Sequence, residues 1–367
     1  MLLKKLSLLK FKNYDELSVD LSSSVNCFLG NNGEGKTNLL DAIYYLSFCK
    51  SYFNPIDIQN IKHNEPFFAI DGIYEQDDIE IKVYCGLKRG QKKIVKYNKK
   101  NYERHADHIG IIPLVMISPL DVLLIIEGSE GRRKFIDGII SQYDKSYLEH
   151  LLQYNKVLHH RNMLLKSFWL NKNFDSDLLD IWNEQLIKNG ELIHQARQKF
   201  IQNFSPIFQK YYSLLSKNLE LVKLNYESQL NNKDFSLLLK EGLEKDQITH
   251  YTNAGIHKDD LDFLISDYPL KKFASQGQQK TFLLALKLAQ AEIISEISKK
   301  KVIFLLDDIF DKLDENRMKQ LLNILGNGNF GQIFITDTSI TRIPKILTQE
   351  NIIYNAFQIS NGGITNV

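Results

Sequence analysis

Apolar and polar residues alternate near the start of the chain, and through its middle they settle into a helical period. The opening segment predicts two strands, 2–10 and 16–21, joined by a turn at 12–15. A short apolar strand at 25–29 runs straight into Gly30. Leu39, Leu40, Ile43 and Leu46 then fall at helical spacing and predict a helix over 37–48. Three alternating segments, 68–74, 79–87 and 93–97, predict an antiparallel sheet.

Between about 131 and 243 the pattern becomes long and helical. Tyr147, Leu151, Tyr154 and Leu158 share one face, as do Ile193, Ala196, Phe200 and Phe204, the stripe of a packed helical core. Breaks are expected at 171–177 and at Pro206, and the run is far too short for a long antiparallel coiled coil. An α/β pattern then resumes. It predicts a helix at 276–299, a continuous apolar strand at 301–306, a helix at 315–325 and a strand at 332–336.

Composition changes this picture little. Lys+Arg and Asp+Glu number 46 and 44 in 367 residues, so the net charge of +2 points to no partner, and a nucleic-acid surface would need local clustering. Cys27, Cys49 and Cys85 are scattered without a C-x-x-C pair, which argues against a zinc site or a disulfide framework. No apolar run approaches the roughly 18 residues of a membrane span, and no signal-peptide block is present. A soluble, reducing, cytoplasmic setting is the expectation, with no membrane partner.

Candidate chemistry changes it a great deal. Gly30-Asn31-Asn32-Gly33-Glu34-Gly35-Lys36-Thr37 fits G-x-x-x-x-G-K-[ST] at every fixed position, with a strand before it and a helix after. In such a loop the glycines let backbone N–H groups curl around the β-phosphate. Lys36 reaches the β- and γ-phosphates, the Thr37 hydroxyl ligates Mg²⁺, and the helix start directs its positive end at the anion. ATP and Mg²⁺ are therefore the expected ligands. The companion is Val302-Ile303-Phe304-Leu305-Leu306-Asp307-Asp308, a buried strand ending in two carboxylates that need a cation or water. Asp307 is expected to hold the metal with Thr37, and Asp308 to orient the attacking water.

Ser275-Gln276-Gly277-Gln278-Gln279-Lys280 stands where a polar turn becomes an apolar helix. Ser275 with Gln278 satisfies a capping box, so an ordinary helix start is one reading. The other is the signature of ABC ATPases, in which one subunit's helix start meets the γ-phosphate held by a second, giving an ATP-dependent homodimer. Phe310-Asp311-Lys312-Leu313-Asp314 occupies the place of the loop that follows the carboxylates, and Asp314 also suits a helix cap. Ile335-Thr336-Asp337-Thr338 ends the next strand where a switch histidine is usual, leaving Thr336 or Asp337 for that place.

With these motifs in order the chain resembles the RecF family, in the SMC-like branch of ABC ATPases, essentially end to end. The resemblance runs through Phe11-Lys12-Asn13-Tyr14, residues 30–38, Ser118-Pro119-Leu120-Asp121, and residues 128–137 from Gly128 to Asp137. It continues in 161–165, Gly255-Ile256-His257-Lys258-Asp259-Asp260-Leu261, 274–280 and 305–314. Lys12 stands where the family usually has Arg, Ile256 replaces a usual Pro, Lys258 a usual Arg, and Asp311 a common Ser. These departures touch fine geometry more than function.

The resemblance implies an α/β fold: an ABC-type P-loop ATPase head, with a mixed sheet, helices and an antiparallel β part, and an inserted mostly helical lobe. The expected boundaries are 1–117 and 251–367 for the ATPase lobe and 118–250 for the insertion. It implies Lys36, Asp307 and Asp308 as catalytic residues. Gly30, Asn31, Asn32, Gly33, Glu34, Gly35, Lys36, Thr37, Asn38 and Lys12, with Ser275, Gln276, Gly277 and Gln278, would contact nucleotide. It further implies a weak, DNA-stimulated ATPase that dimerises on ATP and binds double-stranded and gapped or junction DNA without sequence preference. RecO- and RecR-type partners would join it in loading recombinase at gaps.

Asp308 is one methylene shorter than the usual Glu, which favours slow turnover. Lys88, Arg89, Lys92, Lys93, Lys96, Lys99, Lys100 and Arg104 form the densest basic run, and Lys92, Lys93 and Lys96 are candidate phosphate contacts. A merely solvated hairpin is the alternative. Arg132 and Arg133, at a helix start, are the second candidates, with an intramolecular contact as their alternative. Two other function classes share part of the pattern: an ATPase subunit of a membrane importer, and a nucleotide-gated module that barely hydrolyses.

Overall fold

Fifteen strands form three sheets in the computed structural model, which describes residues 1–216, 220–310, 315–327, 330–360 and 362–366. The first sheet is antiparallel throughout, in the order β2-β1-β4-β5-β6-β7. Its strands are β1 (Leu2–Leu9), β2 (Glu16–Asp20), β4 (Phe67–Gln76), β5 (Ile79–Lys88), β6 (Ile94–Tyr97) and β7 (Lys100–Asn101). β2 alternates between exposed and buried positions, as a sheet with one face on the core should.

The second sheet has the order β15-β14-β3-β13-β12-β8, comprising β3 (Val25–Leu29), β8 (Leu114–Ile117), β12 (Ile303–Leu306), β13 (Ile333–Asp337), β14 (Tyr354–Ser360) and β15 (Gly363–Asn366). All but β15 run parallel. Every residue of β3, β8, β12 and β13 is buried, which is why these segments are apolar runs rather than alternations. The helix Lys36–Phe48 packs against β4 and β5 of the first sheet and β8 and β13 of the second. Its Leu39, Leu40, Ile43 and Leu46 are fully enclosed. At about 1.5–3 kcal/mol for each such side chain, this face does much to anchor the loop that precedes the helix. Buried Gln332 links the sheets, donating to Leu3 O and accepting from Leu3 N, both at 2.9 Å.

Contacts divide the chain into two units, residues 1–121 with 287–367, and residues 122–286. The second boundary falls within the helix Gln276–Ser298. This differs from the boundary expected at 250. Residues 251–286 cluster with the middle of the chain because β10 (Asp260–Ile265) pairs along its full length with β9 (Val222–Glu227), and β11 (Tyr268–Pro269) adds to the same sheet. β9 itself lies where a helical pattern was expected; its burial alternates strictly, the signature of a strand.

The second unit is otherwise built on the helices Ser129–Ile140, Lys145–Asn171 and Ser176–Ser216. Asp144 caps the second of these, accepting from Tyr147 N at 2.9 Å. The break expected at Pro206 does not occur. Proline removes one backbone donor, yet buried Phe200, Phe204, Phe208 and Tyr212 continue one apolar face across it, and packing outweighs the local cost. Arg161 and Arg197 are enclosed within this unit. Arg161 pairs with Asp246 at 2.7 Å, and Arg197 with Asp259 at 2.8 Å and Asp137 at 2.9 Å. Among the described residues no helix is long and apolar enough to cross a membrane.

Candidate nucleotide site

The loop at residues 30–35 joins β3 to the helix that starts at Lys36, and two of its glycines are required by space as well as by conformation. Gly30 has φ 148°, and a Cβ there would lie 2.4 Å from Ile359 O of β14. Gly35 has φ 109°, and a Cβ would lie 2.4 Å from Asn13 Nδ2 and 2.9 Å from Tyr14 Oη. The turn after β1 therefore braces the loop. Asn13 Nδ2 donates to Glu34 O at 3.2 Å, Tyr14 Oη donates to Gly35 O at 3.1 Å, and Asn38 Nδ2 donates to Asn13 Oδ1 at 2.7 Å. Asn13 and Tyr14 reach the loop from 21 to 25 residues away, a separation that leaves no local sign of this role in the sequence.

A pocket of about 230 Å³ opens here, lined by Asn32, Gly33, Gly35, Lys36, Thr37, Asn38, Asp308 and Thr336. Lys36 is buried, and its ammonium donates to Gly30 O and Asn31 O, both at 2.7 Å. Burial lowers its pKa, opposed by the nearby carboxylates of Asp308, Asp307, Asp337 and Glu34. Thr37 Oγ1 donates to Asp307 Oδ1 at 2.8 Å across 270 residues of sequence. Burial raises the Asp307 pKa, and the hydrogen bonds from Thr37 and Thr336 act against it. A hydroxyl and a buried carboxylate in contact are hard oxygen donors, which fit Mg²⁺ well.

Of the two residues left open for the switch position, the pocket receives Thr336. Its hydroxyl donates to Asp307 Oδ1 at 2.9 Å and accepts from Asp308 N at 2.9 Å. Asp337 is turned to Arg342 instead, accepting from its Nε at 2.9 Å. Lys12, expected among the nucleotide contacts, pairs with buried Asp41 on the loop's own helix at 2.6 Å and lies over the Phe53 ring. In the stretch Ser118–Asp121, Asp121 is also enclosed: it accepts from Ser118 N at 2.8 Å and Tyr52 Oη at 2.9 Å, and pairs with Lys287 at 2.6 Å. Residues 311–314 of the expected loop Phe310–Asp314 lie outside the described residues.

In the second unit the capping box is formed in both directions. Ser275 Oγ accepts from Gln278 N at 3.2 Å, and Gln278 Oε1 accepts from Ser275 N at 2.6 Å. Ser275 and Gln276 are exposed, with Gly277 and Gln278 half-buried behind them, so the start of a 23-residue helix faces solvent. A helix cap and a phosphate-facing signature are compatible uses of one geometry.

The basic candidates separate sharply. Arg132 makes a bidentate pair with Asp260 at 2.7 and 2.8 Å and donates to Leu124 O and Glu127 O. Arg133 donates to Ser129 Oγ and Asp259 O. Lys93 donates to Cys49 O and Asp57 Oδ2, each at 2.6 Å. These three are committed to intramolecular partners, against their expected role as phosphate contacts. Lys92 is exposed, and half-buried Lys96 lies over the Tyr84 ring.

Residues 2–355 match the family described as RecF/RecN/SMC N terminal domain. The chain is 51% identical to the DNA replication and repair protein RecF of Flavobacterium johnsoniae, over 97% of this chain and 99% of that protein. It is 47% identical to the protein of the same description from Bacteroides thetaiotaomicron, over 100% of this chain and 99% of that one. Among solved structures it superposes on the recombination mediator protein RecF with ATP, in the RecFOR pathway, at a TM-score of 0.90. There the identity is 31%, with 100% of this chain and 97% of that one covered. An SMC head bound to the C-winged helix domain of ScpA shares the fold at a TM-score of 0.58 and 13% identity.

Proposed function

The chain belongs to the RecF family, and from that membership we propose that it is an ATP-dependent DNA-binding protein of recombinational repair and replication. In this reading an ATP-driven homodimer clamps DNA at single-strand gaps and junctions and helps to load recombinase. RecO- and RecR-type proteins are its partners, in the cytoplasm, and hydrolysis is slow and stimulated by DNA. The observation that carries the reading is the meeting of Lys36, Thr37, Asp307, Asp308 and Thr336 around one pocket, drawn from three separate stretches of sequence.

The chain's own residues would act as follows. The loop's backbone N–H groups and the helix start at Lys36 receive the phosphates. Lys36 exchanges its two carbonyl partners for phosphate oxygens, and Thr37 with Asp307 holds the cation, whose chemistry is to neutralise charge on the β- and γ-oxygens. Asp308 orients the attacking water. The exposed helix start at Ser275 completes the site of a second copy, so that ATP is the signal to dimerise. DNA contact falls to exposed Lys92 and half-buried Lys96, by charge rather than by sequence.

Light scattering with ATP and Mg²⁺, together with hydrolysis measured with and without gapped DNA, tests this. Lys36→Ala should abolish nucleotide binding, whereas Ser275→Ala should bind ATP but stay monomeric. Normal dimers from Ser275→Ala would remove the signature assignment. Hydrolysis indifferent to gapped DNA would remove the clamp.

A further inference from the structure

We infer that Thr336 is a positioning residue of the cation site, orienting Asp307 and fixing the backbone that carries Asp308. The inference rests on the ATPase reading above and adds a residue to its machinery. Thr336 is fully buried on β13, between β3 and β12, and its hydroxyl faces the ends of both carboxylate-bearing residues. Its proton goes to Asp307 Oδ1 at 2.9 Å, the oxygen that also accepts from Thr37 Oγ1 at 2.8 Å. Two hydroxyls, one at the start of the helix Lys36–Phe48 and one on β13, thus converge on one carboxylate oxygen and hold the rotation of that carboxyl group. A lone pair of the same hydroxyl takes the Asp308 N–H at 2.9 Å.

That second bond has a particular use. Asp308 has φ 47°, in the left-handed region that costs a residue with a Cβ more than it costs glycine. The Thr336 hydroxyl accepts from the amide of that residue and so helps to hold the turn. One hydroxyl therefore sets the direction of the metal-holding carboxylate and the turn that presents the next one. With its proton and a lone pair engaged in this way, Thr336 acts through the carboxylates rather than as a ligand itself. β-Branching suits the task, because it restricts χ1 and keeps the hydroxyl aimed. Outer-sphere partners of this kind typically control metal affinity by about 10–100-fold.

Thr336→Val keeps the shape and removes both hydrogen bonds; Thr336→Ser keeps both and removes only the methyl. Binding of Mn²⁺ by electron paramagnetic resonance, with a non-hydrolysable ATP analogue present, gives a readout separate from turnover. The expected result for Thr336→Val is unchanged affinity for the analogue without divalent cation, Mn²⁺ binding weakened about 10–100-fold, and kcat reduced with KM little changed. Thr336→Ser should match the parent in all three. If Thr336→Val proves misfolded by thermal melting, Thr336→Cys, similar in size and a poorer hydrogen-bonding group, should show the same direction of loss. Mn²⁺ affinity within twofold of the parent in the folded valine or cysteine variant overturns the inference, as does a serine variant as impaired as valine. A parent protein that binds neither Mn²⁺ nor the analogue would instead overturn the ATPase reading.

Discussion

Two groups of buried charge in this protein look alike in a list of residues and differ in what surrounds them. In the second unit, Arg197 lies against Asp137 and Asp259, with Tyr147 and Tyr226 closing the group, and Arg161 lies against Asp246, Asn183 and Thr252. Each carboxylate there faces a guanidinium. In the first unit, Asp307 is held by two neutral hydroxyls, and the carboxylate residue that follows it, Asp308, lines a pocket. The nearby cation, Lys36, is held by loop carbonyls. Burial raises the pKa of both Asp259 and Asp307, but only Asp259 has an arginine at 2.8 Å to offset it. A group closed by its own counter-charges is architecture, whereas one that keeps negative charge beside a pocket is arranged for a cation from outside.

The largest expected effect comes from breaking the closed group. Arg197→Met should cost about 3–5 kcal/mol of stability by urea denaturation, because buried Asp259 and half-buried Asp137 would lose their counter-charge. Asp307→Asn should do the reverse in the open group. Stability without ligand should stay within about 1 kcal/mol of the parent or rise, while magnesium-dependent affinity for ATP falls at least about tenfold by calorimetry.

Acidity sharpens the same contrast. The raised pKa of Asp307 favours its protonated form in the fold, so its contribution to stability is present at acid pH and is lost as pH rises through that value. Cation binding needs the ionised form and should weaken as pH falls through it. ATP affinity measured with and without Mg²⁺ across pH should show this loss in the parent, and Asp307→Asn should remove the dependence.

The smallest effect separates two sorts of surface cation. Lys92→Ala and Lys96→Ala should each lower the salt slope of DNA affinity by about one, whereas Arg132→Ala should leave that slope unchanged and reduce stability through its lost pair with Asp260.

The sequence made the candidate nucleotide site legible where its chemistry is contiguous. The loop 30–37 and the strand ending at Asp307 each carry their meaning in consecutive residues, and the parallel strands announce themselves as apolar runs. What it left open depends on distant partners. Arg132 looks like a phosphate contact until Asp260, 128 residues away, is beside it. Thr336 and Asp337 are adjacent and equally plausible, until Arg342 is seen to claim the second. β9 was hidden inside a helical stretch because its pairing partner, β10, begins more than thirty residues later. At Pro206 the local rule was sound, and an apolar face packed on both sides overrode it.

The place of β3 in its sheet has a consequence for how the protein is made. β3 is hydrogen-bonded on one side to β13 and on the other to β14, whose residues end at Ser360, and Gly30 packs directly on Ile359. On the ribosome, the segment that precedes the phosphate loop emerges about 300 residues before either neighbour exists. Until then it is an apolar strand with two open edges, a natural client for a chaperone. Synthesis that stops short of those last strands leaves the loop without its walls, so a prematurely terminated product would be silent toward ATP.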